Sequence, residues 1–169
     1  MPDVVLVQGA SRGLGLAFVK RLIEPSAASK VIATCRDPNS ALALRELVES
    51  HPQRVTLLRL DVTDVDSLEA VAETVSASGK PIDLLINCAG VLHSPEGLRP
   101  EKRLQDVCLN NLEQYFRINT IGPLMVAKHL VPLMTRRGRA IIPNLSARVG
   151  SISDNRLGGW YGYLSLIHI

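Results

Sequence analysis

A glycine-spaced turn near the N-terminus constrains the fold more than any other feature of the chain. Gly9, Gly13 and Gly15 have the spacing G-x-x-x-G-x-G, directly after an apolar run at residues 4–7 and directly before an amphipathic segment. A strand, a glycine turn and a helix start in this order suit a bound pyrophosphate, because larger side chains would obstruct its approach to free backbone N–H groups. The context favours a dinucleotide site over a purely structural turn, which an isolated glycine pattern would equally suit. The residues expected to contact the dinucleotide here are Gly9, Ser11, Arg12, Gly13, Leu14 and Gly15.

Apolar runs alternate with amphipathic segments along the rest of the chain. Further strands are predicted at residues 30–35, 55–60, 82–86 and 138–146, with Pro143 near the end of the last or on a side without a ladder bond. Helices are predicted at residues 39–50, with Leu42 and Leu44 inside, and after the capping residue Asp64. Residues 104–134 form a long apolar stretch that Gly122 and Pro123 should bend or divide. This alternation predicts an α/β fold with a Rossmann-type, doubly wound parallel sheet.

Composition excludes several other classes of protein. The net charge of +3 is mild, and the basic cluster around Arg136 and Arg139 lacks interleaved aromatic residues, so no nucleic-acid partner is expected. The 3 cysteines have no C-x-x-C spacing, which predicts reduced thiols and no metal site. No stretch approaches the roughly 18 apolar residues of a membrane span, so we expect no membrane partner and a cytoplasmic location.

Several further motifs occur in a characteristic order. They are Leu60-Asp61-Val62-Thr63, Asn87-Cys88-Ala89-Gly90, Asn119, Gly150-Ser151-Ile152 and the run Gly158-Gly159-Trp160-Tyr161-Gly162-Tyr163. Together with the glycine turn, they make the chain resemble the short-chain dehydrogenase/reductase family, and within it the carbonyl-reductase branch. The resemblance covers residues 3 to about 163 and implies hydride transfer between a nicotinamide cofactor and a small-molecule carbonyl.

The residue types at the nucleotide end indicate NADP(H). A protein that selects NAD needs a carboxylate after the second strand to accept from the ribose 2′-OH, and here Cys35 and Arg36 stand at that place. Arg12 adds a second cation, so we expect both arginines to bind a 2′-phosphate; the alternative is that both are solvated surface charges. The resemblance also implies cofactor contacts from Asp61, Val62, Asn87, Ala89 and Gly90, with Asn87 supporting the neighbouring strand through its side chain.

The resemblance implies catalytic roles for Asn119, Ser146 and Tyr163. Tyr163 would be the general acid, with Tyr161 as the alternative; Asn119 would kink the long helix and hold a water in the proton path. The family serine falls at Ala147, so Ser146 or Ser151 would have to replace it.

The lysine that the family places four residues after the tyrosine is absent, because position 167 is Ile167. We therefore expect this chain by itself to be inactive, although we expect its intact parent to be a reductase.

The last residues differ from the family pattern. Residues 164–169 match the translation of a transposon-end adapter, so we expect a partial Rossmann domain at 1–163, incomplete at its C-terminus, followed by a non-native tail. Family members form homo-oligomers, which we expect of the intact parent. Two other hypotheses remain: a non-catalytic NADP(H)-binding or signalling module, and a methyltransferase, which the Asn87, Asn119 and Tyr163 motifs disfavour.

Overall fold

Four parallel strands form the sheet at the centre of the fold. The computed structural model describes residues 2–24, 28, 30–95, 97–136, 138–151, 153 and 158–165. The strands are β1 (Val4–Gln8), β2 (Lys30–Cys35), β3 (Val55–Arg59) and β4 (Leu84–Asn87), in the order β3-β2-β1-β4. All three pairings are parallel. This order places the chain reversal beside β1, as in a doubly wound dinucleotide-binding fold, and confirms the predicted fold class.

Six α-helices flank this sheet in the described part of the chain: α1 (Gly13–Leu22), α2 (Leu42–Ser50), α3 (Val65–Ala77), α4 (Leu109–Tyr115), α5 (Gly122–Leu130) and α6 (Tyr161–Ser165). The predicted cap of α3 is present, since the Asp64 side chain accepts from the Ser67 N–H at 3.4 Å. The prediction for α2 was wrong at its start, because Asn39 N donates to Asp37 Oδ1 and holds these residues in a turn. Leu42, predicted to be inside, is 67% exposed at the first residue of the helix.

Alternating side chains of β1 contribute to two separate cores. Val5 and Val7 pack in one cluster with Val19 of α1 and Leu44 of α2. Leu6 packs in the other cluster, which includes residues of α3 and α5. Because successive strand residues point to opposite faces, both faces of the sheet are covered, which explains the continuous apolar run of β1.

The predicted fifth strand is only partly formed. Residues 138–146 run beside β4, with isolated parallel bridges at Leu84–Ile141 and Asn87–Asn144. Ile141 N donates to Asp83 O, and Leu145 N donates to Asn87 O. In this register the backbone nitrogen of Pro143 faces β4. It has no proton, so it cannot donate a ladder hydrogen bond. Of the two predicted placements of Pro143, the one on a side without a ladder bond was therefore wrong, and the missing bond interrupts the strand.

The long apolar stretch forms two helices in series, as one of the predicted alternatives required. Between α4 and α5 lies a π-helical segment, Phe116–Ile121, in which Gly122 N donates to Arg117 O. Pro123 follows at the second residue of α5. A π-helical turn contains one extra residue, so it joins the two helices with a change of register and no break in the chain.

Candidate cofactor-binding site

A cleft of about 940 Å³ opens at the carboxyl ends of the strands. This volume lies at the upper end of the range of about 300–1,000 Å³ that small-molecule sites occupy. Of the residues predicted to bind cofactor, all but one line this cleft: Gly9, Ser11, Arg12, Gly13, Leu14, Gly15, Arg36, Asp61, Val62, Ala89 and Gly90. The exception is Asn87.

The glycine turn forms the floor of the cleft. Gly9 has φ +81°, and a Cβ built there would lie 2.5 Å from Ala89 N. A Cβ at Gly15 would lie 2.2 Å from the Gly9 carbonyl oxygen. Gly13 also has a positive φ, +56°, but a Cβ there would meet no described atom within 4 Å. Two of the glycines are therefore required by the backbone's own packing, and the third by its dihedral angle.

The two predicted cations are exposed and line the cleft. Arg12 precedes α1 in extended conformation, and Arg36 follows the last residue of β2. Within the described residues, neither guanidinium forms an ion pair. Asp37, the nearest carboxylate in sequence, is not among the lining residues, and its Oδ1 accepts from Asn39 N at 2.9 Å. Among the described residues, therefore, both guanidinium groups remain available for an anionic ligand.

Asp61 lies in the cleft wall after β3. Its Oδ1 accepts from both the N–H and the Oγ1 hydroxyl of Thr63, at 2.9 and 2.8 Å. Ser67 Oγ donates to the Asp61 carbonyl at 3.0 Å, which ties this turn to α3. The turn is thus fixed by its own hydrogen bonds, while the second carboxylate oxygen, Oδ2, bonds to no described residue.

Asn119 holds the turn that follows β4. Its Oδ1 accepts from Val91 N at 2.7 Å, and its Nδ2 donates to Val91 O at 2.8 Å. From its position within the π-helical segment, the side chain thus forms hydrogen bonds with both the N–H and the carbonyl group of Val91. Asn119 does not itself line the cleft, although Val91 does.

Asn87 makes a structural contact and lies outside the cleft lining, and its contact with the cofactor stays a prediction. Its Nδ2 donates to Asn144 Oδ1 at 2.7 Å, across the gap between β4 and residues 138–146. The expectation that Asn87 supports the neighbouring strand agrees with this bond. The Oδ1 atom of Asn87 is fully shielded and accepts from no described residue.

Ser146 and Tyr163 also lie outside the cleft lining. Ser146 is exposed, and the alternative, Ser151, has its Oγ 3.1 Å from Ser153 Oγ. Tyr163 is half-buried in α6, where its ring packs edge-on against Tyr115 and Trp160 at centroid distances of 6.4 and 6.0 Å. The other candidate tyrosine, Tyr161, is 41% exposed. Position 167 lies outside the described residues.

Tyr115 links α6 to the turn after β4. Its hydroxyl donates to Leu92 O at 2.8 Å, and its side chain is fully buried. Burial, followed by the nearby Glu101 and Tyr163, raises the pKa of Tyr115 to about 12. This tyrosine therefore remains protonated near neutral pH and acts as a hydrogen-bond donor.

Some lining residues were missed by sequence reasoning. They include Gln8, Ser40, Thr63, His93, Ser94, Leu98 and Gln114. Gln8 could have been found, because it directly precedes Gly9 at the end of a predicted strand. Thr63 ends the Leu60-Asp61-Val62-Thr63 motif, although no cofactor contact was predicted for it. The others lie in loops or on α4, and no motif marks them.

The described residues contain no group of three or more histidine, cysteine or acidic side chains arranged to hold a metal ion. None of the helices described here combines the length and apolar character needed to cross a membrane.

Comparisons with known proteins agree with this geometry. The family model for short chain dehydrogenases matches residues 3–162. YusZ, an uncharacterized oxidoreductase of Bacillus subtilis (strain 168), is 36% identical over 149 residues, covering 87% of this chain and 49% of that protein. The chain thus spans about half the length of this curated relative.

Solved structures of carbonyl reductases share the fold. The NADPH-bound carbonyl reductase from chicken fatty liver has a TM-score of 0.85 and 32% identity, covering 98% of this chain and 66% of that one. The carbonyl reductase Sniffer of D. melanogaster has a TM-score of 0.86 and 27% identity, covering 99% of this chain and 70% of that one. Because the family match extends over nearly the whole chain and includes the glycine turn and its cleft, the chain belongs to the short-chain dehydrogenase family.

Proposed function

We propose that the cleft binds NADP(H), and that the intact parent functions as an NADP(H)-dependent carbonyl reductase, whereas chain 1–169 alone lacks the family lysine and is inactive. The observation that carries this proposal is the pair of cleft-lining arginines, Arg12 and Arg36, which form no ion pair among the described residues. A 2′-phosphate would supply the missing counter-charge, whereas NAD offers only a hydroxyl there. NADPH in the chicken carbonyl reductase and the similarity of the folds support the same choice.

The glycine turn fits the pyrophosphate of such a cofactor. Gly13 faces space free of described atoms, so backbone at the start of α1 can approach an anion closely. The first N–H groups of a helix have no intrahelical acceptor, and the helix dipole favours negative charge there. Ala89 and Gly90 carry small side chains or none, which leaves room for a ribose on the β4 side of the cleft.

The proposed reaction is reduction of a small-molecule carbonyl. NADPH, when bound, supplies the hydride. The role proposed for Tyr163 is donation of the proton to the carbonyl oxygen, and Asn119 would hold the Val91 turn in place beside the substrate. Ser146 would orient the carbonyl.

A second candidate function is an NADP(H)-binding module without turnover. One observation favours it: Asn119, Ser146 and Tyr163 all lie outside the lining of the cleft that the nucleotide-binding residues form. Because chain 1–169 alone is expected to be inactive, the test that separates the two candidates is carbonyl-dependent oxidation of NADPH by the full-length parent. Turnover by the parent would support the reductase, and nucleotide binding by the parent without turnover would support the module.

Reversing the charge of Arg36 tests the nucleotide preference. We expect Arg36→Asp to weaken NADPH binding by about 10- to 100-fold, because a charge-assisted pair becomes a repulsion. NADH affinity should change little, and calorimetric titration of both nucleotides measures the difference. Arg45→Asp is the matched control, because Arg45 is exposed on α2 outside the cleft lining. Equal losses of NADPH and NADH affinity in Arg36→Asp would remove the argument for a 2′-phosphate site.

Cysteine labelling provides a test that needs no turnover. Cys88 lines the cleft, and burial raises its pKa to about 11, whereas Cys108 is exposed outside the cleft lining. Since the thiolate is the nucleophile, we expect iodoacetamide at pH 8 to label Cys108 first, with labelling of Cys88 increasing toward pH 11. NADPH should slow labelling of Cys88 and leave Cys108 unchanged, as measured by peptide mass spectrometry. Equal protection of both cysteines would argue against occupancy of the cleft.

A further inference from the structure

Gln8 is a buried polar residue that lines the proposed nucleotide cleft. It is 2% exposed and ends β1, in register with Thr34 of β2 on one side and Asn87 of β4 on the other. Its backbone oxygen accepts from Cys88 N at 2.9 Å. Its side-chain Oε1 accepts from Ala89 N at 3.0 Å. Both bonds tie Gln8 to the residues that follow β4.

The bond to Ala89 fixes the orientation of the Gln8 amide. A backbone N–H can only donate, so the amide atom that faces it must be the acceptor, Oε1. The Nε2 group is therefore directed away from Ala89 N. Within the described residues Nε2 donates to no acceptor. It is also not one of the fully shielded, unpaired atoms among them, which are Asn87 Oδ1, Glu101 Oε1, Thr120 Oγ1 and His129 Nε2. Gln8 lines the cleft, which is the space beside this residue that a ligand can enter.

An amide donor in such a place needs an acceptor. An oxygen of a bound ligand that replaces solvent in the cleft would accept from Nε2 and satisfy it. Arg36 and Asp61 follow β2 and β3 on one side of β1, whereas Ala89 and Gly90 follow β4 on the other. Gln8 is bound to the β4 side, so its donor serves the half of the ligand that lies away from the arginine of β2.

We propose that Gln8 Nε2 donates a hydrogen bond to an oxygen of the nicotinamide mononucleotide half of the bound dinucleotide, either a ribose hydroxyl or its phosphate. The inference rests on the proposed function, because it requires a dinucleotide in the cleft. One side chain thereby holds the Ala89 turn with its oxygen and the ligand with its nitrogen.

Two substitutions and three ligands test this assignment. Gln8→Glu keeps an oxygen for Ala89 N and replaces the donor by an acceptor; Gln8→Thr keeps a hydroxyl and removes the amide. Calorimetry with NADPH, reduced nicotinamide mononucleotide and 2′,5′-ADP measures each half of the site separately. Gln53→Glu makes the same chemical change at an exposed residue and serves as the control.

We expect Gln8→Thr to weaken NADPH and reduced nicotinamide mononucleotide by about 2- to 10-fold, the equivalent of one neutral hydrogen bond. Gln8→Glu should weaken both further, because it also introduces charge repulsion. The affinity for 2′,5′-ADP should remain that of the wild type in every variant. If Gln8→Glu fails to fold, Gln8→Thr still decides the result.

Two outcomes overturn the inference while leaving NADP(H) binding intact. One is that both variants bind reduced nicotinamide mononucleotide as wild type does. The other is that 2′,5′-ADP loses affinity in equal measure, which would mean that the whole turn had moved. Failure of the wild-type chain to bind NADPH or either half would instead overturn the proposed function itself.

Discussion

Replacing Gly15 by alanine is expected to abolish NADPH binding and to lower the free energy of unfolding by about 3 kcal/mol or more, the upper range for an overpacked site. The added methyl carbon would lie 2.2 Å from the Gly9 carbonyl oxygen and 3.0 Å from Ala10 Cα. Both neighbours are in the main chain, so no side-chain rotation can make room. The turn and the first residues of α1 would have to separate, which moves the N–H groups that face the cleft. Calorimetric titration and urea denaturation measure the two effects.

Two other glycines provide controls for this substitution. Gly13→Ala is a control for stability only: it adds a methyl group where no described atom lies within 4 Å, so its φ of +56° imposes the penalty on folding, about 1 kcal/mol. Gly79→Ala makes the same test after α3, with φ +65°, outside the cleft lining, and should leave NADPH affinity unchanged. If Gly15→Ala behaves like Gly79→Ala, the tight contact between the turn and α1 is not required for binding.

Truncating Leu6 is expected to cause a comparable loss of stability without touching the cleft. Leu6 is fully buried on the face of β1 opposite Val5 and Val7, in the cluster that includes α3 and α5 residues. Leu6→Ala should lower the free energy of unfolding by about 2–5 kcal/mol, because the removed methyl groups leave a cavity in a packed core. Urea denaturation followed by circular dichroism measures the change.

Leu124→Ala is the matched control for Leu6→Ala. Leu124 is 68% exposed on α5, so its truncation should change stability by no more than about 0.5 kcal/mol. Similar losses in the two variants would contradict the placement of β1 between two cores.

The parts of the fold that could be predicted from sequence are those that depend on local pattern. The strands β1 to β3 and the cap of α3 at Asp64 appear close to the predicted residues, because apolar runs and a capping carboxylate act within a few residues of themselves. The exposure of Leu42 was not predictable in this way. It depends on where α2 begins, and the Asp37 turn delays that start.

The prediction of a complete strand at residues 138–146 was wrong because of a tertiary contact. Its register against β4 decides whether the ring of Pro143 faces a neighbour or solvent, and periodicity within the segment does not contain that information. A predicted strand that contains a proline therefore depends on its partner for its length.

The residues of the candidate site also divide into those that a local motif indicates and those whose contacts depend on the fold. The residues of the glycine turn could be predicted because a close approach between backbone segments requires glycine, and the glycine spacing is visible in the sequence. The bond from Asn119 to Val91 joins residues 28 positions apart, and the bond from Asn87 to Asn144 joins residues 57 apart. Family resemblance indicated these side chains, but only the folded chain shows which groups they hold and that neither lines the cleft.

The π-helical segment determines which side of α4 and which side of α5 pack against the rest of the protein. An extra residue in one turn rotates every later side chain by about 100° relative to a continuous α-helix. Tyr115 before the segment is directed to Leu92, while Val126 and Leu130 after it pack in the cluster that contains Leu6. Deleting one residue between 116 and 121 would restore regular helical winding. Either Tyr115 or the pair Val126 and Leu130 would then be turned toward solvent. The extra residue thus rotates α5 relative to α4, so that two helices joined in series contact two different neighbours.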